Sequence, residues 1–387
     1  MNKKLHYIIA MLAGMLLLDE GTTQPAAYPP ANAAATAETK NLYAALQRLY
    51  ANGKVLLGHQ DDLAYGVGWS YEPGRSDVKE VTGSFPAVYG WELGNLELDS
   101  SRNLDKVPFD FMRKAIRQGY DAGAVITLSW HANNPLTGKS AWDPVSGSVS
   151  SVLPGGAKHE LFLVWLDRVA AFIGSLRGPR NELIPVLFRP WHELTGSWFW
   201  WGQNLCSPQE FKQLWKLTYD RLQIHHKLNN ILWAYNTAEF NSNNHFFERY
   251  PGNNMADLVS FDTYMYQTKE GDGNARFTER VSRSLNMLRQ MADSLHKIPA
   301  FAETGYEAIP QADWFTRVLG PILTRYPVSY VLLWRNAGLM PESGKMHFYA
   351  PYRGHASAPD FKQFAAKTPL MNGKALKKEK IYHNILQ

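Results

Sequence analysis

"IPVLFRPWHE" (residues 184–193) holds apolar side chains with a single arginine among them, then ends on proline, tryptophan, histidine and glutamate. A run that is apolar at successive positions, rather than at alternate ones, suits a strand covered on both faces. Seven more segments share the pattern. They are "KVLLGHQ" (54–60), "PAVYGWEL" (86–93), "AVITLSWH" (124–131), "NILWAYN" (230–236), "LVSFDTY" (258–264), "PAFAETG" (299–305) and "VSYVLLWRN" (328–336). Between them lie segments with helical spacing, clearest in "ELFLVWLDRVAAFIGSL" (160–176) and "RVSRSLNMLRQMADSLH" (280–296). "SPQEFKQLWKLTYDRLQ" opens on Ser207, with Pro208 at the first helical position and Glu210 three residues after the cap, a capping-box pattern. Eight strands alternating with helices predict an α/β chain of one domain, a (β/α)8 barrel.

That architecture places chemistry at the C-terminal strand ends. The residues there are His59, Glu92, Trp130 with His131, His192 with Glu193, Asn236, Asp262 with Tyr264, Glu303, and Trp334 with Arg335. Strand interiors are almost free of charge, so polar and aromatic groups converge on one rim, as a pocket for a polyol requires.

Composition agrees with a globular chain. The chain has 387 residues, 45% hydrophobic and 19% charged, enough for a large core. Aromatic residues make up 13%, a density that suits an open groove as well as a core. The net charge of +5 is scattered rather than striped, which argues against nucleic acid as a partner. The single cysteine, Cys206, excludes a disulfide within the chain and reads as a structural thiol. "MNKKLHYIIAMLAGMLLLDEG" pairs two lysines with a short apolar run, the pattern of a signal peptide rather than a membrane span. The expected organisation is a signal peptide over residues 1–22, a Pro- and Ala-rich flexible leader over 23–39, and the barrel over 40–387. The barrel region closes on a solvated basic tail, and the whole is an exported, periplasmic or extracellular monomer.

Several chemistries fail on spacing. The zinc-protease helix needs a second histidine one turn after His192, but Gly196 stands there. His225 and His226 read as surface residues, and with no Cys/His cluster the expectation is no metal and no cofactor. A G-x-S-x-G elbow is missing. The glycine-containing stretch at 269–277 lacks the Lys-Ser/Thr ending of a phosphate loop and reads as a mobile loop. Paired carboxylates remain. Glu193 and Glu303 end the fourth and seventh runs, which face each other across an eight-stranded barrel, ringed by aromatics. Such a pair can protonate a glycosidic oxygen and attack the anomeric carbon. The alternative is that each is a buried carboxylate paired with Arg189 or Arg335. Asp61 and Asp62 read as solvated loop acids, Glu92 as a partner of sugar or arginine, and Asp262 as a positioning or structural group.

Together "RPWHELTGSWFWWG" (189–202), "LSWHANNP" (128–135), "FDTY" (261–264), "FAETG" (301–305) and "LLWRN" (332–336) resemble glycoside hydrolase family 26, the β-mannanases. The resemblance covers nearly all of the chain after about residue 40. It implies Glu193 as general acid/base and Glu303 as nucleophile of a retaining double displacement. It also implies that His192 orients Glu193 and that Tyr264 hydrogen-bonds the nucleophile. Trp198 and Trp334 would wall the cleaved sugar, with Arg335 beside them and His131 at the second non-reducing-side subsite. Trp130 and Trp142 are further candidate platforms. Of Phe199, Trp200 and Trp201, some must pack beneath the loop. The implied substrate is β-1,4-mannan, glucomannan or galactomannan, with mixed-linkage β-glucan or β-1,3-xylan as alternatives. The stretch 133–156 would form a wall over the non-reducing side, giving mannobiose from chain ends if it closes the groove and internal cleavage if it lies flat. A non-catalytic glycan-binding barrel would be expected to lack Glu193, Glu303 or Tyr264, and all three are present.

Overall fold

A computed structural model describes residues 28–266, 273–367 and 369–383. Each apolar run becomes a strand: β1 (Val55–Gln60), β2 (Val88–Glu92), β3 (Val125–Trp130), β4 (Val186–Pro190), β5 (Ile231–Thr237), β6 (Leu258–Asp262), β7 (Ile298–Thr304) and β8 (Tyr330–Leu333). Every residue of the eight is buried, which explains why the runs do not alternate. Sequential strands pair in parallel, and β8 pairs back onto β1 (Leu56 with Tyr330, His59 with Leu333). The sheet is therefore a closed (β/α)8 barrel, as expected.

The principal helices are α1 (Ala37–Ala51), α2 (Phe109–Asp121), α3 (His159–Gly174), α4 (Pro208–Tyr219), α5 (Gly273–Leu295) and α6 (Ala358–Ala366). In α3 the buried positions Phe162, Trp165, Leu166, Val169, Ala170 and Ile173 form one apolar face toward the sheet. The capping box of α4 is present, with Ser207 and Glu210 satisfying each other's backbone N–H. Among the described residues no helix is long and apolar enough to cross a membrane.

Three expectations need correction. The leader reading extends too far. Residues 28–36 are docked on the barrel: Ala31 N–H donates to Asp257 Oδ1 at 2.6 Å, Tyr28 stacks on His296 at 4.0 Å, and Thr36 caps α1. The segment proposed as a signal peptide lies outside the described residues. The basic tail is not a solvated end either. Leu376, Ile381 and Tyr382 are buried, the Tyr382 hydroxyl donates to Ala124 O at 2.6 Å, and Glu379 pairs with Arg48. Its lysines are exposed while Leu376, Ile381 and Tyr382 pack against the barrel floor, an arrangement that a charge count overlooks. Lastly, Asp61 and Asp62 are fully buried, bonded to the Tyr65 hydroxyl and to His59. Of the stretch 269–277 read as a mobile loop, residues 269–272 lie outside the described residues, and 273–277 are not a loop but the first turns of α5. Cys206 is buried, and His225 and His226 are exposed.

If the tail seals the floor, Ile381→Ala will lower stability by about 2–4 kcal/mol, the range for truncating a buried aliphatic side chain. A change below about 0.5 kcal/mol in urea unfolding would return the tail to solvent.

Candidate active site

At the end of β4 the chain leaves the sheet sharply. Trp191 and Glu193 both take left-handed backbone conformations, with φ of 54° each. Such conformations are costly for side-chain-bearing residues and persist where surrounding contacts enforce them. Here Asn236, from β5, accepts the Glu193 N–H at 3.0 Å, and Trp201 donates its indole N–H to His192 O at 2.8 Å. The turn throws the Glu193 side chain over the barrel mouth. Trp198 then donates its indole N–H to Glu193 Oε2 at 2.6 Å. A Cβ on Gly196 would lie 2.4 Å from the Trp198 ring, so glycine is required there for the indole to lie across the backbone.

Glu303, near the end of β7, is held from two sides. The Tyr264 hydroxyl donates to Oε2 at 2.6 Å, and Arg189 Nη2 donates to Oε1. The other arm of Arg189 reaches Asp262 Oδ2 at 2.7 Å, and Asn236 Nδ2 donates to Asp262 Oδ1 at 2.9 Å. One oxygen from each of Glu193, Asp262 and Glu303 lies within 4.8 Å of the others. Three carboxyls so close could hold a cation, but the Arg189 guanidinium already supplies a positive charge to two of them. The set fits an arginine-organised carboxylate pair rather than a metal centre.

Electrostatics separates the two glutamates. Burial, then the neighbouring Glu303 charge, lifts the Glu193 pKa to about 7. Glu303 instead accepts from a guanidinium and a phenol. Burial works against the Arg189 charge, but Asp262 and Glu303 outweigh it and raise the guanidinium pKa. Two carboxyls a few ångströms apart thus stand in different environments, one lifted toward neutrality by burial and one bound by a cation and a phenol.

The β3 side carries the second half of the site. His131 Nδ1 lies 2.8 Å from Glu92 Oε2, and its Nε2 lies 3.0 Å from His192 Nε2. Trp142 stacks on His131 with centroids 4.8 Å apart and remains half-exposed, so the loop over 133–156 does bring this ring to the site. Glu92 is fully buried and serves His131 rather than a sugar. Trp334 is partly buried, 6.5 Å from His131, and Arg335 is paired with Asp105 at 2.8 Å. Trp130 is not a platform. It is fully buried, donates to Glu97 at 2.9 Å and packs on Phe162 and Trp191. As the last residue of a barrel strand it points outward to the helix layer, and its neighbour His131 points into the mouth. Phe199, Trp200 and Trp201 are all buried under the loop, leaving Trp198 as the exposed ring of that stretch.

Residues 31–316 match the family model for glycosyl hydrolase family 26. The chain belongs to this family. A family 26 β-mannanase structure from Bacteroides ovatus is 40% identical, with a TM-score of 0.85 over 91% of this chain and 99% of that one. An endo-β-1,4-mannanase structure from Cellulomonas fimi is 31% identical, with a TM-score of 0.78 over 90% of this chain and 78% of that one. A mannan endo-1,4-β-mannosidase from Bifidobacterium adolescentis is 31% identical over 86% of this chain. The chain spans about a third of that relative's length, 34%.

The family resemblance brought Trp198 to the mouth of this barrel, and strand-end reasoning brought Glu193, Glu303, His131, His192, Tyr264 and Trp334 there, with Arg335 at its β8 side. It undervalued Arg189, whose lone charge inside an apolar strand run was the available signal. Asp105, the partner of Arg335, lies in a loop and carries no such signal. Tyr266, two-thirds exposed and 6.4 Å from Tyr264, also went unread.

Removing Arg189 strands two buried carboxylates. Arg189→Met is expected to cost about 3–5 kcal/mol of unfolding free energy, the range for breaking a buried pair from one side. Unaltered thermal and urea unfolding would refute the organising role.

Proposed function

We propose that this family 26 chain is a retaining endo-acting β-1,4-mannanase. The observation that carries the reading is the pair Glu193 and Glu303, with oxygens within 4.8 Å of each other, Glu193 lifted toward neutrality by burial and Glu303 bound by Arg189 and Tyr264. Carboxyl groups about 5–5.5 Å apart suit a covalent glycosyl-enzyme, whereas inversion needs room for a water between them. The names of the relatives, all mannanases among those described above, support mannan as the substrate.

In the first step Glu193 donates its proton to the glycosidic oxygen as Glu303 attacks the anomeric carbon. The leaving chain departs with that proton. Glu193, now a carboxylate, takes a proton from water, whose oxygen displaces Glu303, and the product keeps the β configuration. Tyr264 and Arg189 hold Glu303 in line, and Trp198 aims Glu193. The exposed faces of Trp142 and Trp198 offer stacking surfaces to sugar rings.

A second reading concerns where along the chain cleavage falls. Trp142 folds down onto His131, and its loop is pinned by Asn134, which donates to Asp143 O and Ser148 Oγ at 2.9 Å each. A loop anchored over the non-reducing side favours release of short products such as mannobiose.

Glu303→Ala is expected to abolish release of reducing ends from mannan while leaving the unfolding transition in place; retained turnover in the purified variant would sink the assignment. Proton NMR of fresh hydrolysate should show the β-anomer first, and α-anomer first would mean inversion. Because Glu193 must hold its proton and loses it near pH 7, kcat/KM should fall above about pH 7. A fall already near 4.5, the ordinary value for a glutamate, would contradict the role given to burial. The product series from mannopentaose and galactomannan over time distinguishes internal from chain-end cleavage.

A further inference from the structure

Glu92, His131 and His192 form a chain of buried polar groups whose hydrogens can be counted. Glu92 accepts from four donors: Gly94 N–H at 2.6 Å, His131 N–H at 2.7 Å, the Ser129 hydroxyl, and His131 Nδ1 at 2.8 Å. Two backbone N–H groups on Oε1 and the imidazole beside Oε2 favour the ionised form, and the Glu92 pKa falls to about 2 despite burial. His131 Nδ1 therefore carries a hydrogen. The next link, Nε2 to Nε2 at 3.0 Å, needs one hydrogen between two nitrogens. With a cation on His192 disfavoured by burial and Arg189, either both rings are neutral and His192 donates, or His131 is an imidazolium and donates. The first leaves His192 Nδ1 as a bare acceptor; the second makes it an N–H. That atom is buried and has no partner.

The charges facing the pair favour the second arrangement. Around His131 stand Glu92 from β2, Asp105 from the following loop, Glu193 beyond β4 and Glu303 from β7. His192 faces His131 and Arg189, both of which disfavour a charge on it. Burial opposes a cation on either ring. On His131 the carboxylates outweigh it and its pKa rises; on His192 it prevails and the pKa falls.

We propose that Glu92 is a positioning residue that acts through His131: its charge keeps His131 doubly protonated and thereby holds His192 neutral with its hydrogen on Nδ1, beside the acid/base Glu193. The imidazolium also lies against Trp142, stacked at 15°, so its charge backs the exposed indole on which a sugar would rest. His131 is one of the groups that lower the affinity of Glu193 for its proton. Loss of Glu92 discharges His131, and the Glu193 pKa then rises.

The test uses the full chain with 15N-labelled histidine. In the native protein at pH 7, both ring nitrogens of His131 should give protonated shifts, and His192 should show the neutral Nδ1–H tautomer. A singly protonated His131 across pH 6 to 8 overturns the proposal without reference to activity, whatever the folding behaviour of any variant. In Glu92→Gln, the His131 titration should move down by about one unit or more, tenfold in proton affinity. Only the kinetic arm rests on Glu193 as acid/base. There the upper limb of kcat/KM should shift to higher pH in Glu92→Gln. A uniform loss of rate at every pH, with the limb unmoved and His131 unchanged, would mean that Glu92 is merely structural. Failure of the native enzyme to cleave mannan would instead refute the function while leaving the histidine signals to decide this inference.

Discussion

A guanidinium buried among carboxylates is the constraint on which this barrel mouth depends. Arg189 has lost nearly all contact with water, and Asp262 and Glu303 are buried with it. Taking such charges out of water is expensive, and the cost is offset only if each is paired and its remaining hydrogen-bonding capacity is filled. Asn236 and Tyr264 complete that pairing. The arrangement needs β4, β5, β6 and β7 in their observed register, so the closed sheet and the site stabilise each other. Glu193 is tied into the same network through Asn236, which accepts its backbone N–H.

The network also sorts protons. Glu303 lies against a cation and a phenol. For Glu193, burial and the repulsion of Glu303 outweigh the Trp198 indole and the charges of His131 and Arg189. Two identical side chains a few ångströms apart thus stand in different environments, and the backbone strain at Trp191 and Glu193 is the local cost of the geometry that separates them. On the β3 side, the chain from Glu92 to His192 extends the same logic to a pair of imidazoles. There a buried negative charge decides where a hydrogen resides several ångströms away.

Much of the fold was legible because burial on both faces leaves a direct trace: eight continuous apolar runs, each ending in polar residues. The paired glutamates followed from strand order, since the fourth and seventh strands of an eight-membered ring are opposed. Trp130 shows where that reasoning stops. Adjacent strand-end residues point to opposite sides, so His131 enters the mouth and Trp130 enters the helix layer. A one-residue difference in where a strand ends reverses such an assignment. Asp61 and Asp62 show the same limit for charge: tandem acids resemble a solvated loop until Tyr65 and His59 fold over them. The basic tail, whose buried Leu376, Ile381 and Tyr382 are spaced among lysines, is a third case.

The sequence by itself determined the barrel, its single-domain organisation, the family, and the two glutamates on opposed strands. These rest on periodicity, on strand count and on residues clustered within short stretches. The tertiary structure alone decided the roles that depend on distance between strands. It made Arg189 the centre of the site, turned Glu92 from a partner of sugar or arginine into the partner of His131, laid Trp142 over that ring and withdrew Trp130 into the core. Hydrogen bonds act over about 3 Å, and no linear spacing reports which side chains from separate strands come that close.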